Sequence, residues 1–355
     1  MAGVFQTLKV LSLYDGMACG RLAFESAGLE IKQYDAFEID KYAIKVASHN
    51  YPDIIHHGDV FDGDFNKFAG YDYLIGGSPC TYWSIAQAAD KREREAKGLG
   101  WDLFSQYLRA LNEAKPKYFI YENNASMSPA IKKEISRRFG FGPVLINSAL
   151  VSAQNRERLY WVGKRDGWGV YSPVPIAQPE DRGILLNDVL DGVALADKSH
   201  AVIGSIGRTT PREYFFKNQG ELTAQPIPVC VNPKIEGKQP SLSDRMYSEG
   251  GKQTGLYCVP SDQAKNVYRV EGGTLTYKGR RCPVRLPDGD YEIRKLSVSE
   301  CKRLQTVPEG YDMSVISNSQ AYKCLGNGWT VEVIAHLIRA TQSNKRLGQQ
   351  SLDSF

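Results

Sequence analysis

The sequence predicts an α/β protein: a doubly wound, mostly parallel sheet with a smaller, irregular, β-rich second lobe. Three observations predict it. Up to residue 165, short apolar runs rich in strand formers alternate with helical spacings. Of the 17 prolines, 11 lie between residues 166 and 293, where long helical patterns vanish. From Arg294 the helical spacing returns, in SVSECKRLQTV and VEVIAHLIRATQ. The large domain is therefore expected over 1–165 and 294–355, and the lobe over 166–293.

The elements follow in order. LKVLSLY (8–14) reads as a strand, and GRLAFESAG as a helix with Leu22, Ala23 and Ala27 on one face and Gly28 as its stop. YDAFEID (34–40) and KYAIKVASHNY repeat the pair. YDYLIGG and KYFIYEN are further strands, separated by the helical WDLFSQYLRALNEAK. VLINSALV and RLYWVGKR continue the pattern, and the polar C-terminal residues read as frayed. In such sheets ligands bind outside the carboxyl ends of the strands.

Composition narrows the class. A 355-residue chain that is 42% hydrophobic and 24% charged has ample core for two lobes. No apolar run approaches the roughly 20 residues of a membrane helix. The N-terminus lacks the order of a secretory signal, so a cytoplasmic protein without a membrane partner is expected. Seven scattered cysteines read as reduced thiols, and without a CxxC pair no metal is expected. The net charge of +4 is mild. Residues 198–285, however, carry 14 Lys and Arg against 7 Asp and Glu. Tyr214, Phe215, Tyr247, Tyr257, Tyr268 and Tyr277 are interleaved with them, a pattern that fits a polyanionic partner.

YDGMACG (14–20) joins the first strand to the first helix, and Gly16 and Gly20 permit close backbone approach. The dinucleotide fingerprint fails, because Ala18 stands at its second glycine. Glu38 ends the second strand, where an acid can bind ribose hydroxyls, and Asp59 follows the third. Together they suggest a nucleoside-containing cofactor. A glycine turn that only packs a helix onto the sheet reads the same way.

GGSPCTYWS places Cys80 just past a strand. A cysteine there is a nucleophile if nearby charge lowers its pKa, and otherwise a small buried hydrophobe. The next strand ends in YENN, so topology brings Glu122 to the same sheet edge. In QNRERLYWVG, Arg156 and Arg158 are two apart, on one face of an extended segment. Guanidiniums there suit a base carbonyl, a phosphate or the Glu122 carboxylate, and equally a surface ion pair.

These segments, in this order, resemble the cytosine-5 DNA methyltransferases. SLYDGMACG is similar to the cofactor motif and GGSPC to the Pro-Cys nucleophile motif. The stretch ending KYFIYEN resembles the Glu-Asn motif, and QNRER the Gln-x-Arg-x-Arg motif. RKLSVSECKRLQTVPEGY and YKCLGNGWTVEVIAHLI resemble the family's Arg-Leu-Gln helix and closing Gly-Asn motif. Asp15, Ala18 and the GNGW ending are nearest in style to de novo enzymes and their phage and bacterial relatives, and Asn124 departs from the usual small apolar residue.

The resemblance implies a Rossmann-like, S-adenosylmethionine-dependent methyltransferase with a target-recognition lobe. Cys80, Glu122, Arg156 and Arg158 would be the catalytic set. S-adenosyl-L-methionine would be held by Tyr14, Asp15, Gly16, Met17, Glu38, Ile39, Asp59, Val60, Pro79, Asn327 and Trp329. The partner would be double-stranded DNA, with Ser84, Gln154, Lys234, Arg245, Arg269, Arg280 and Arg281 as candidate contacts and a monomer acting. The setting would be bacterial or phage-infected cytoplasm, in restriction-modification or as a phage enzyme. A tRNA cytosine-5 methyltransferase and an inactive DNA-binding homologue are the alternatives. A NAD-dependent dehydrogenase leaves Cys80 unexplained.

Overall fold

The computed structural model describes residues 7–83, 92–217, 220–226 and 267–350. The large domain holds β1 (Leu8–Leu13), β2 (Ile31–Phe37), β3 (Ile55–His56), β4 (Tyr73–Gly76), β5 (Tyr118–Asn124), β6 (Val144–Asn147), β7 (Glu157–Arg165) and β8 (Tyr171–Pro173). The lobe holds β9 (Val193–Ala194), β10 (Leu222–Pro226), β11 (Val267–Glu271), β12 (Thr274–Tyr277), β13 (Arg280–Pro283) and β14 (Gly289–Lys295). The helices are α1 (Cys19–Ser26), α2 (Lys41–Asn50), α3 (Leu99–Ala114), α4 (Pro129–Phe139), α5 (Pro211–Lys217), α6 (Val298–Leu304), α7 (Asn318–Asn327) and α8 (Val331–Gln350).

The large sheet runs β3-β2-β1-β4-β5-β7-β6, with β8 also paired to β7. β3, β2, β1, β4 and β5 pair in parallel. The pairs that β7 makes with β5, β6 and β8 are antiparallel. The order reverses between β1 and β4, which opens a crevice at their carboxyl ends. Because β7 is antiparallel, its first residues reach that same edge.

Both faces of this sheet are buried. One carries Val10, Ile75, Ile120 and Val162 beneath Phe24 of α1, Leu325 of α7 and Ile334 and Leu337 of α8. The other carries Leu11, Leu74, Phe119 and Trp161 beneath Phe104 and Tyr107 of α3 and Ile135 of α4. Burial on two faces is why these strands read as continuous apolar runs. α4 buries Ile131, Ile135 and Phe139, spaced by four, and its ends are marked. Ser128 caps Ile131 N at 3.3 Å, Pro129 opens the helix, and Gly140 closes it at φ 85°.

The second sheet is antiparallel, in the order β13-β12-β11-β14-β10-β9, around a core that includes Leu222, Val270, Leu275 and Ile293. It starts later than residue 166. β8 extends the large sheet, with the Tyr171 ring on Phe119 and its hydroxyl donating to Pro116 O at 2.7 Å. Val174, Leu186, Val202 and Ile206 join the large core, and β14 carries the small sheet on to Lys295. The proline-rich texture hid an edge strand, where proline is tolerated. Among the described residues no helix is long and apolar enough to cross a membrane, and no cluster of His, Cys, Asp and Glu could hold a metal ion.

Candidate active site

The turn after β1 is left-handed three times, at Tyr14 (φ 58°), Gly16 (φ 62°) and Ala18 (φ 59°). Ala18 thus adopts a conformation usually left to glycine, at a cost of about 1 kcal/mol or more. Gly20 needs its missing side chain, since a Cβ would run into Ile75 and stand 2.8 Å from Tyr34 Oη. Tyr14 donates to Leu103 O at 2.6 Å, which ties the turn to α3. Met17 is buried in the core, and its carbonyl accepts from Tyr311 Oη at 2.5 Å.

Glu38 fastens the turn to β2. Its Oε2 accepts from Gly16 N at 2.8 Å, and its Oε1 from Ile39 N and Asp40 N, both at 2.8 Å. Ile39 is exposed, and so are Pro79 and Asn327. Asp59 accepts from Phe61 N at 3.0 Å, and Val60 beside it is buried.

Asp15 is buried, with Ser12 and Tyr34 both donating to its Oδ1 at 2.6 Å. Its Oδ2 has no partner among the described residues. Burial raises its pKa from 3.8 to about 6, against the opposing pull of the two hydroxyls. These acids and backbone groups suit a cofactor rich in N–H and O–H donors and bearing positive charge. A raised acid pKa means that the folded state holds the proton more tightly. The stabilisation it brings is complete below about pH 4 and is lost as pH rises through about 6. Denaturant titrations should therefore show Asp15→Asn gaining about 2–3 kcal/mol relative to wild type between pH 4 and 7. A difference that does not change with pH would refute this reading.

Glu122 lies in β5 opposite Tyr160 of β7, and Arg158 stands diagonally across, opposite Asn124. Arg158 Nε is 3.0 Å from Glu122 Oε1. Trp329, in the link between α7 and α8, donates from Nε1 to Glu122 Oε2 at 2.9 Å. Oε1 is thus held by an ion pair and Oε2 by a hydrogen bond. The sequence reading placed Trp329 with the cofactor alone. Its partner is 207 residues away, and no spacing signals such a bond.

The neighbour of Glu122 works on the other face of β5. Asn123, fully buried, donates to Ser78 O at 3.1 Å, and Ser78 Oγ lies 2.7 Å from Tyr121 Oη. Asn123 thus holds the loop that carries Cys80, a role the sequence reading missed. Gly77 closes the loop onto β5, because a Cβ there would stand 2.7 Å from Glu122 Oε2 and 2.8 Å from Glu122 O. The Cys80 backbone enters a 3₁₀ turn, Cys80–Tyr82. Trp83 then anchors the chain, fully buried with Nε1 donating to Glu93 Oε2 at 3.1 Å. In Gly77→Ala the new methyl meets backbone, so loop and strand must part. Methyl transfer should fall roughly 100-fold, the scale of a misplacement near 1 Å, while cofactor affinity holds. Steady-state kinetics with a cofactor titration measure both.

Arg156 is buried and donates to Val202 O (2.8 Å), Gly328 O (2.9 Å) and Gly326 O (3.3 Å). It braces the link that carries Trp329 and is a positioning residue. Gln154 was expected at DNA and is instead fully buried. It donates to Leu304 O (2.5 Å) and Gln305 Oε1 (3.0 Å), and Val202 N donates to it at 3.0 Å. Its position just before β7, facing α6, leaves it no exposed edge. Arg269, Arg280 and Arg281 are exposed on β11 and β13. Arg269 pairs with Glu271 at 2.8 Å, and Arg280 lies over the Phe216 ring at 5.3 Å. Ser84, Lys234 and Arg245 lie outside the described residues, and for Cys80 only the backbone is described.

The fold class is that of the Rossmann-like methyltransferases. The family model for C-5 cytosine-specific DNA methylases matches residues 8–343, and the chain belongs to that family. It is 26% identical to the Type II methyltransferase M.FnuDI of Fusobacterium nucleatum, over 95% of this chain and 96% of that one. With M1.ScrFI of Lactococcus lactis subsp. cremoris the identity is 28%, over 92% and 76%. The orphan methyltransferase M.Rho11sI of Bacillus phage rho11s is 35% identical over 45% of this chain, a match that spans about a third (33%) of the phage protein. A putative DNA modification methyltransferase from an Escherichia coli prophage shares the fold at TM-score 0.56 and 17% identity, over 95% of this chain and 99% of that one. The Dnmt2 methyltransferase of S. pombe does so at TM-score 0.56 and 13% identity, over 93% and 97%.

Proposed function

We propose that this protein transfers a methyl group from S-adenosyl-L-methionine to carbon 5 of a cytosine flipped out of duplex DNA, through a covalent Cys80 adduct at carbon 6. The observation that carries the reading is the Glu122 carboxyl group, held between Arg158 and Trp329 and backed by Gly77 of the Cys80 loop. Family membership and the phage and bacterial relatives support it, and cytoplasmic action as a monomer fits it.

Carbon 5 of cytosine is a weak nucleophile. Attack of the Cys80 thiolate on carbon 6 turns the ring into an enamine and makes carbon 5 nucleophilic. Glu122 supplies a proton or hydrogen bond at ring N3, and Arg158 holds the exocyclic oxygen. S-adenosyl-L-methionine, when bound, supplies an electrophilic methyl group. Loss of the carbon-5 proton to a base then expels Cys80. Tyr14 and Gly16 after β1, Glu38 after β2 and Asp59 after β3 would hold the cofactor at the carboxyl ends of the strands. Flipping the base costs a few kcal/mol, which phosphate contacts from the basic lobe offset.

The test is transfer of labelled methyl from S-adenosylmethionine to duplex DNA and to tRNA side by side. Labelling of duplex DNA is expected. Labelling of tRNA alone would favour the RNA alternative, and binding without transfer the inactive one.

A further inference from the structure

Residues 203–204 cross α7 at Gly326 with no side chain between the backbones. A Cβ on Gly326 would run into Ile203 and Gly204, and one on Gly207 into the Tyr322 ring. The crossing is pinned from the small sheet. Lys295 Nζ donates to Gly207 O at 3.0 Å, and Tyr322 Oη to Leu296 O at 2.7 Å. Beside it lies a groove lined by Arg208, Lys295, Lys323 and the first turn of α7, with Asn318, Ser319 and Gln320. Among the described residues no carboxylate lines it. Lys323 pairs with Asp40 at 2.6 Å, outside the lining. Glu213 also lies near Arg208, and its Oε2 accepts from Thr210 N (2.9 Å) and Thr210 Oγ1 (3.1 Å). Arg208 itself is exposed and makes no side-chain hydrogen bond or ion pair among the described residues.

We propose that this groove binds a backbone phosphate of the nucleic-acid substrate. The inference rests on the function proposed above. The described lining carries three cations, of which Lys323 is paired with Asp40, and the Arg208 guanidinium, with no hydrogen-bond partner among the described residues, matches a phosphate with two parallel N–H donors. Asn318 and Ser319 are further donors of the kind that fix a duplex in register. The volume, about 450 Å³, takes a phosphate with its flanking sugars. The walls come from both domains, α7 from the large one and Lys295 from the small sheet, so a strand seated here is gripped at their junction.

The test is binding of the full-length protein to fluorescent duplexes of several sequences across a salt series. Arg208→Ala should weaken binding by a similar factor for every sequence. It should also make the plot of log affinity against log salt shallower by about 1, the share of one phosphate contact. Arg137→Ala, which removes an exposed α4 cation paired with Glu134, should leave that slope unchanged. A wild-type slope in Arg208→Ala, or an equal loss in Arg137→Ala, overturns the groove. If the wild-type protein binds no duplex at any salt, the proposed function fails instead.

Discussion

Cys80→Ala abolishes methyl transfer to duplex DNA, by about 10⁴-fold or more, while S-adenosylmethionine binding and thermal stability stay near wild type. The size follows from the chemistry. Without addition at carbon 6, carbon 5 has no route to nucleophilicity, and loss of a covalent nucleophile is among the largest single effects in enzymes. The selectivity follows from the fold. Most of the cofactor candidates follow β1, β2 and β3, whereas Cys80 follows β4. Asn123, Gly77 and Trp83 hold the loop through contacts of their own. Radiolabelled transfer, isothermal titration with cofactor and thermal melting separate the outcomes. A Cys80→Ala protein that methylates at the wild-type rate contradicts the mechanism.

Glu122→Gln lowers kcat by about 10²–10⁴, the usual contribution of a positioned acid. That range corresponds to about 3–5.5 kcal/mol of transition-state stabilisation. The amide keeps the shape of the side chain and removes the proton that N3 requires. It also removes the charge that pairs with Arg158 and can turn an N–H toward Trp329, which already donates. The KM for cofactor should change little, because the bonds of Glu38 and Asp59 are untouched. Single-turnover kinetics isolate the chemical step, and a chemical rate within threefold of wild type, under about 0.7 kcal/mol, contradicts this role.

The sheet was legible because its strands are buried on both faces and read as unbroken apolar runs ending in glycine or acid. That Glu122 and the loop after β4 share one edge was legible because β4 and β5 are adjacent parallel strands. The bonds that complete the site were not. Trp329 reaches Glu122 across 207 positions, and Gln154 reaches Leu304 across 150. Side chains in QNRER alternate between core and edge, and nothing in the motif says which. Gln154 and Arg156 are buried, while Arg158 meets Glu122. The lobe boundary was obscured because prolines at 173 and 175 accompany an edge strand that still pairs with β7.

The most direct test of the central claim is covalent trapping on duplex DNA whose target cytosines are replaced by 5-fluorocytosine, with S-adenosylmethionine present. The fluorine cannot leave as a proton does, so the Cys80 adduct persists after methyl transfer. The account predicts a denaturation-resistant protein–DNA complex with wild type, and peptide mapping that places the bond on Cys80. It predicts none with Cys80→Ala. A wild-type protein that methylates normal duplex DNA yet forms no such complex, or one linked through another residue, would contradict it.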